Sequence, residues 1–313
     1  MTDPVAEALA LWGLEGAAYH LVAGRENRVF RVETPRGMAA LRVRRPGYRS
    51  DAELRSELDW MDAMRRAGLS VPQPIASRSG VLLERVGDFR VDLLDWLPGQ
   101  PMGEGRGPLA LTDAPGVFSR LGEEMARLHA ACDGWLPPDG FARVKWDAEG
   151  LIGETPLWGR FWENPTLSQE QQVFFLRFRD EARAELAHVG SALDQGLIHA
   201  DLVRENVLIE GDRLHLIDFD DGGWGFRLFD IATALLKHRH ELGFADLKVA
   251  LLAGYRTHLT LDDRQLGLFL ALRAVTYLGW IVPRLSEEGG AQRNARFIAD
   301  AEVMCRRWLD RGE

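Results

Sequence analysis

Cysteine is nearly absent from this chain: Cys132 and Cys305 are the only two in 313 residues, far apart and outside any C-x-x-C pair. Neither a zinc site nor a disulfide framework can be assembled from them, and a reducing compartment is the natural setting. Excess positive charge is missing too. The formal net charge is −9, with acids and bases interspersed, which argues against a general nucleic-acid or membrane-surface binder. That acidity suits a cationic substrate, although a solvated acidic surface is its commoner cause. The segment Met1-Thr2-Asp3-Pro4 carries an acid and no basic stretch leading into an apolar one, so no signal peptide is read. Long apolar runs are lacking as well. The most apolar segment, Leu266 to Leu285, is interrupted by Arg273, Pro283 and Arg284, short of the clean run of about 20 residues that a span requires. It predicts a buried helix instead. Low-complexity stretches and solenoid repeats are also missing. These exclusions leave a cytoplasmic globular chain, 46% hydrophobic and 27% charged, long enough for two domains or two lobes sharing a cleft.

The first hundred residues read as strands around one helix. Tyr19-His20-Leu21-Val22, Val29-Phe30-Arg31-Val32 and Met38 to Val43 are short apolar runs separated by Gly24 and by Pro35-Arg36-Gly37, the pattern of hairpins. Ser50-Asp51-Ala52-Glu53 is a capping box, and Leu54, Leu58, Met61 and Met64 follow at helical spacing until Gly68. Gly80 to Glu84 and Phe89 to Leu94 predict two further strands, after which Leu97-Pro98-Gly99 breaks the pattern and marks a hinge. From Thr112 onward the periodicity is helical. Leu121, Met125, Leu128 and His129 share one face, and Ser168 to Gln171 is a second capping box. Further helices are read at 227–239, 245–258, 264–283 and 291–308.

One β island interrupts these helices. It runs from Leu197-Ile198-His199-Ala200-Asp201 through Asn206-Val207-Leu208-Ile209, turns at Glu210-Gly211-Asp212-Arg213, and returns through Leu214 to Asp218-Phe219-Asp220. Two apolar runs around a glycine-containing turn make a hairpin. Counting back from the turn puts Asn206 opposite position 217 or 218, so the Asn206 and Asp218 side chains meet at the open end. An amide oxygen and a carboxylate there suit Mg²⁺, a hard cation that prefers oxygen ligands. Asp201 lies five residues before Asn206, in the loop entering the hairpin. A carboxylate beside a metal-bound triphosphate can orient an attacking hydroxyl and accept its proton.

H-x-D-x-x-x-x-N followed by an apolar strand ending in Asp is the catalytic-loop and metal-aspartate pattern of kinases. With His199-Ala200-Asp201-Leu202 and Ile217-Asp218-Phe219-Asp220, the chain resembles the aminoglycoside phosphotransferase/choline kinase-like family, near its homoserine kinase type II and stress-response kinase branch. The resemblance covers most of the sequence. It implies an α+β, bilobal protein kinase-like fold, with a β-rich N-lobe at 1–97 and a helical C-lobe at 98–313. It implies ATP and Mg²⁺ as cofactors and a small-molecule hydroxyl as acceptor, an amino alcohol, amino acid, sugar or aminoglycoside. By the same resemblance Asp201 is the catalytic base, while Asn206 and Asp218 hold the metal. Arg42 on its strand and Glu57 in the capped helix form the phosphate clamp, Gly24 and Asn27 cover the phosphates, and Asp95 and Leu97 flank the adenine at the hinge. Asp230, in Phe229-Asp230-Ile231-Ala232, braces the catalytic loop.

The chain also departs from the kinase pattern. No G-x-G-x-x-G precedes the first hairpin, and only Gly24 to Arg28 is available to cover phosphates. The usual strand lysine is Arg42, always charged and forked where lysine is a point charge. Asp218-Phe219-Asp220 replaces D-F-G, and only eleven residues separate Asp218 from Asp230, too few for a peptide-docking activation segment. A protein Ser/Thr kinase of the stress-response type and a nucleotide-binding pseudokinase module are the competing functions. At individual positions the plainer readings are a buried brace for His199, a surface ion pair for Arg42 and Glu57, and core packing for Trp158, Trp162, Tyr277 and Trp280. Glu53 competes with Glu57 for Arg42, against its own capping role. Asp220 and Asp221 are open to a substrate amine, a second Mg²⁺ or water. The pattern sets neither the acceptor nor the oligomeric state.

Overall fold

Alternating apolar residues in the first hundred positions build one antiparallel sheet. The structure, a computed structural model, describes residues 4–24, 27–105 and 107–310. Two compact units divide the chain, each discontinuous in sequence: Met1–Met102 with Gly134–Arg143 and Asn206–Asp220, and Gly103–Asp133 with Val144–Glu205 and Asp221–Glu313.

The first unit opens with helix α1 (Pro4–Leu11), then β1 (Tyr19–Ala23), β2 (Arg28–Thr34) and β3 (Gly37–Val43), helix α2 (Asp51–Arg66), and β4 (Pro74–Ile75), β5 (Glu84–Val86) and β6 (Phe89–Asp95). The sheet order is β1-β2-β3-β6-β4, with β5 also on β6. Among the described residues, six strands and two helices thus stand where the sequence pattern suggested five and one. The helix α1 offers too short a period to read, yet its Val5, Ala8 and Leu9 join Leu41, Val43, Val91 and Leu93 in a core on one sheet face. The strand expected at Gly80–Glu84 begins only at Glu84. Strand side chains alternate, so burying Leu41 and Val43 on one face sends Arg42 and Arg44 to the other. The register pairs Arg42 with Asp92 and puts both on that second face. Helix α2 starts as expected, with Ser50 and Glu53 closing the capping box.

After β6 the strand β7 (Gln100–Pro101) pairs with the hairpin Val207–Glu210/Arg213–Leu216. Gly99 makes that approach possible: its φ is +101°, and a Cβ there would sit 2.7 Å from the Ile209 carbonyl oxygen.

The second unit holds helices α3 (Ala114–Asp133), α4 (Ala148–Ile152), α5 (Gln169–Val189), α6 (Arg227–Leu236), α7 (Phe244–Tyr255), α8 (Leu266–Trp280) and α9 (Gly290–Leu309) and a sheet of Val144–Trp146, Gly223–Phe226 and Gln195–Ile198. The second capping box, Ser168 with Gln171, opens α5. Helix α8 is buried along most of its length, as its apolar sequence predicts. No helix of the described residues is long and apolar enough to cross a membrane.

Candidate active site

Arg42 does not form a surface pair. It is buried, donating from Nε to Asp92 Oδ1 at 2.6 Å and from Nη1 to Glu57 Oε1 at 2.7 Å. Arg44, two residues along the same face, donates from Nε to Asp92 Oδ2 at 2.6 Å and from Nη1 and Nη2 to Glu57, both at 3.1 Å. Its Nη1 also reaches Asp220 Oδ1 at 3.1 Å. Arg143 completes the set, with Nη2 donating to the carbonyl oxygens of Phe219 and Asp220 at 2.8 and 2.7 Å. Three guanidinium groups and three carboxylates therefore share one buried network of zero formal charge. Burial pushes Glu57 toward protonation, but the charges of Arg44, Arg42 and Arg143 outweigh it and hold its carboxyl well below the usual range. Asp220 goes the other way: burial and the neighbouring Glu57 charge raise its pKa, against Arg44, Arg49 and Arg143. Asp220, one of the two acids that the sequence left open, is a counter-ion to Arg44. Glu53 spends its carboxylate on the Ser50 cap, with Oε2 accepting from the Ser50 amide at 2.9 Å. Arg42 keeps one unused donor: its Nη2 is buried without a hydrogen bond among the described residues. An unsatisfied buried cationic donor is costly, and a phosphate oxygen is the acceptor chemistry that suits it.

The hairpin register pairs Val207 with Leu216, and the Ile217 amide donates to the Asn206 carbonyl oxygen at 3.0 Å one step further on. Asn206 thus faces Ile217, and Asp218 follows as the chain leaves the ladder. Asp218 is exposed and has a φ of +69°; with Ala200 at +63°, it is one of the two non-glycine residues of positive φ among those described. Strain of this kind costs about 1–3 kcal/mol and concentrates at functional sites. An amide oxygen and a carboxylate are the donor types that a hard divalent cation prefers.

At the expected hinge, the Asp95 carboxylate is spent locally. Its Oδ1 accepts from the Gln73 amide at 2.5 Å and its Oδ2 from Arg65 at 3.3 Å, while its own amide donates to the Gln73 carbonyl oxygen at 2.9 Å. The Trp96 amide donates to Met38, whereas no hydrogen bond among the described residues uses the Leu97 amide. Asn27 Oδ1 accepts from the Arg45 amide at 3.1 Å, and Gly24 is exposed. Arg25 and Glu26, the middle of the stretch read as covering phosphates, lie outside the described residues.

In the second unit, Asp230 is fully buried and gathers the loop that carries Asp201. Its carboxylate accepts from the amides of His199 at 2.8 Å and Ala200 at 2.6 Å, and His129 Nε2 lies 3.0 Å from the same group. Burial opposes its ionisation, yet the His129 hydrogen bond, the His129 and His199 charges and the loop amide together bring its pKa below the ordinary value. This is the brace the sequence suggested, and it holds the strained Ala200 in place. His199 is buried, and its Nδ1 accepts from the Asp201 amide at 3.3 Å. It supports the loop.

Sequence reasoning missed the partner of Asp201. Arg273, from the middle of α8, donates from Nη2 to Asp201 Oδ1 at 2.8 Å. Burial raises the Asp201 pKa, and Arg273, then Lys237 and His199, pull it back. The aromatic residues weighed as a ligand box are occupied from within. The Arg273 guanidinium carbon lies 4.7 Å from the Trp158 ring and 4.6 Å from that of Tyr277. A charged residue inside an apolar helix pattern was the available signal.

Over most of its length the chain is similar to known proteins. A family model described as the phosphotransferase enzyme family matches residues 20–267. The solved structure of a microcompartment-associated aminopropanol kinase superposes with a TM-score of 0.85 at 29% identity, covering 98% of this chain and 97% of that one. A homoserine kinase of Sinorhizobium fredii is 29% identical over 85% of this chain and 77% of its own length. An amicoumacin kinase of Bacillus subtilis is 25% identical over 74% of this chain, which spans 66% of that kinase.

Proposed function

The chain belongs to the phosphotransferase enzyme family, and from that premise we propose that it transfers the γ-phosphoryl group of ATP to a hydroxyl of a small amino alcohol or hydroxy amino acid. The observation that carries the reading is the braced H-x-D loop joined, five residues on, to a hairpin that leads from Asn206 to Asp218. In the step, the acceptor oxygen forms a bond to the γ-phosphorus, the bond from that phosphorus to the ADP oxygen breaks, and the hydroxyl proton passes to Asp201. Arg42, held by Glu57 and Asp92, is assigned to the phosphates through Nη2. Gly24 and Asn27 border them, and the backbone of Asp95 and Leu97 is assigned to the adenine. The Asn206 amide oxygen and the Asp218 carboxylate are assigned to Mg²⁺, which supplies charge neutralisation of the phosphates when bound.

The substrate class rests on relatives whose names specify aminopropanol and homoserine, both small and both bearing an amine and a hydroxyl. A protein acceptor is disfavoured by the chain after Asp218. It becomes the strand Gly223–Phe226 and then α6, leaving no free stretch to dock a peptide. The test is ADP release from MgATP with 1-amino-2-propanol, L-homoserine, choline, kanamycin and a generic Ser/Thr peptide. Turnover with an amino alcohol or homoserine is expected, reduced about 10²–10⁴-fold in kcat by Asp201→Asn with MgATP affinity retained. Turnover with the peptide alone overturns the substrate class. An unchanged rate in Asp201→Asn removes the base assignment.

A further inference from the structure

We infer that Arg273 is a positioning residue for phosphoryl transfer: a captive guanidinium, caged by aromatic rings, that fixes the orientation and the charge of the Asp201 carboxylate. The inference rests on the reading of Asp201 as the base and deepens it. Arg273 has no solvent exposure, and its neighbours on α8, Leu272, Ala274 and Val275, are buried apolar residues. Packing alone asks for another aliphatic side chain at this position. A buried cation instead needs a specific partner to offset its lost hydration. The hydrogen bonds of Arg273 identify that partner. Its Nη2 bridges Asp201 Oδ1 at 2.8 Å and the Tyr277 hydroxyl at 3.1 Å, one helical turn further along α8. Its Nε and Nη1 make no hydrogen bond among the described residues. Around them stand Trp158, Tyr277 and Phe229, with ring centres 4.7, 4.6 and 5.5 Å from the guanidinium carbon. Aromatic faces attract a cation without fixing its rotation, whereas the two oxygen acceptors do fix it. The result is a rigid cation with one edge committed to the base.

Other charges act on Asp201 less directly. Lys237 lies near it but places its ammonium 3.0 Å from both oxygens of Glu205, so the two largely cancel. His199 spends its Nδ1 on the Asp201 amide. Asp221 also acts on Arg273 through its charge, but Arg273 is the cation that donates to the Asp201 carboxylate itself. The same occupancy gives the aromatic cluster a role other than an ammonium cage for the acceptor, because its cation is built in.

The test compares Arg273→Gln and Arg273→Lys with the parent protein. It follows both MgATP hydrolysis, with water as acceptor, and ADP release with 1-amino-2-propanol, across pH. Arg273 lowers the pKa of a carboxyl that burial raises, so removing the charge lets that pKa climb. In Arg273→Gln the acidic limb of kcat is expected to move to higher pH by about one unit, and its plateau to fall roughly 10–100-fold. Lysine keeps the charge and loses the planar fork. The Arg273→Lys limb should stay in place while its plateau falls about 10-fold, because misplaced groups lose rate steeply. The KM for ATP should be unchanged in both. A folded Arg273→Gln with an unmoved limb, or Arg273→Lys with the parent plateau, overturns the proposal. Should the glutamine variant not fold, the lysine plateau decides alone. Asp201→Asn in parallel separates the two readings. If it keeps the parent rate, the base assignment fails; if it loses rate while Arg273→Gln keeps the parent limb, only the role of Arg273 fails.

Discussion

Glu57→Gln tests whether the buried charge network is a unit. Glu57 accepts from Arg42 Nη1 at 2.7 Å and from Arg44 Nη1 and Nη2 at 3.1 Å, with no exposure of its side chain. Removing its charge leaves Arg42, Arg44 and Arg143 facing only Asp92 and Asp220. Breaking a buried pair by deleting one partner costs about 3–5 kcal/mol. Glutamine retains one acceptor oxygen, so about 2–4 kcal/mol is expected here. Each kcal/mol moves Tm by about 2–4 °C in chains of roughly 150–250 residues and by less in longer ones, so a drop of roughly 4–10 °C is expected. The sign of the pH dependence follows from the depressed pKa of Glu57. Its stabilisation is fully present above the unfolded value of about 4.3 and is lost as pH falls toward the folded one. The gap between parent and variant should therefore be widest at neutral pH and close in acid. Urea denaturation at pH 7 and at about pH 2–3, well below the unfolded value, with thermal melts beside it, measures both. A loss below about 1 kcal/mol at pH 7 is what an exposed pair gives, and it would refute the coupled network.

Three further substitutions probe separate parts of the site. Asp218→Ala should abolish Mg²⁺-dependent turnover while leaving Tm within about 2 °C, since the side chain is exposed; retained turnover removes the metal assignment. Arg42→Lys should keep measurable activity. Arg42→Ala should lose ATP affinity and also about 3 kcal/mol of stability, because Asp92 and Glu57 each lose a bond; calorimetric ATP affinity equal to the parent in both variants moves the clamp elsewhere. Asp230→Asn weakens the acceptor of two loop amides and the partner of His129. It should lower kcat at least 10-fold and destabilise by about 2–3 kcal/mol, read by turnover and urea denaturation; a parent-like rate means that the loop holds its own shape.

What the sequence by itself determined is the part written in short-range pattern. The H-x-D-x-x-x-x-N spacing, the hairpin turn at Gly211 and the two capping boxes are all set within about a dozen residues. Local hydrogen bonding and apolar periodicity are enough to specify them. The Asp230 brace was legible only through family resemblance, because it joins positions 30 and 31 residues apart. Tertiary structure alone decided which charges meet. Arg44 and Asp220 are separated by 176 residues, Arg42 and Asp92 by 50, and Arg273 and Asp201 by 72. No periodicity links such partners. In the sequence Arg44 is one more arginine after Arg42, and Arg273 an interruption in an apolar helix. Their roles arise when the sheet turns one face to the core and the other to α2, and when α8 delivers a cation to the loop of Asp201. A buried charge must find its counter-charge wherever the fold brings one, and chain order does not record where that is.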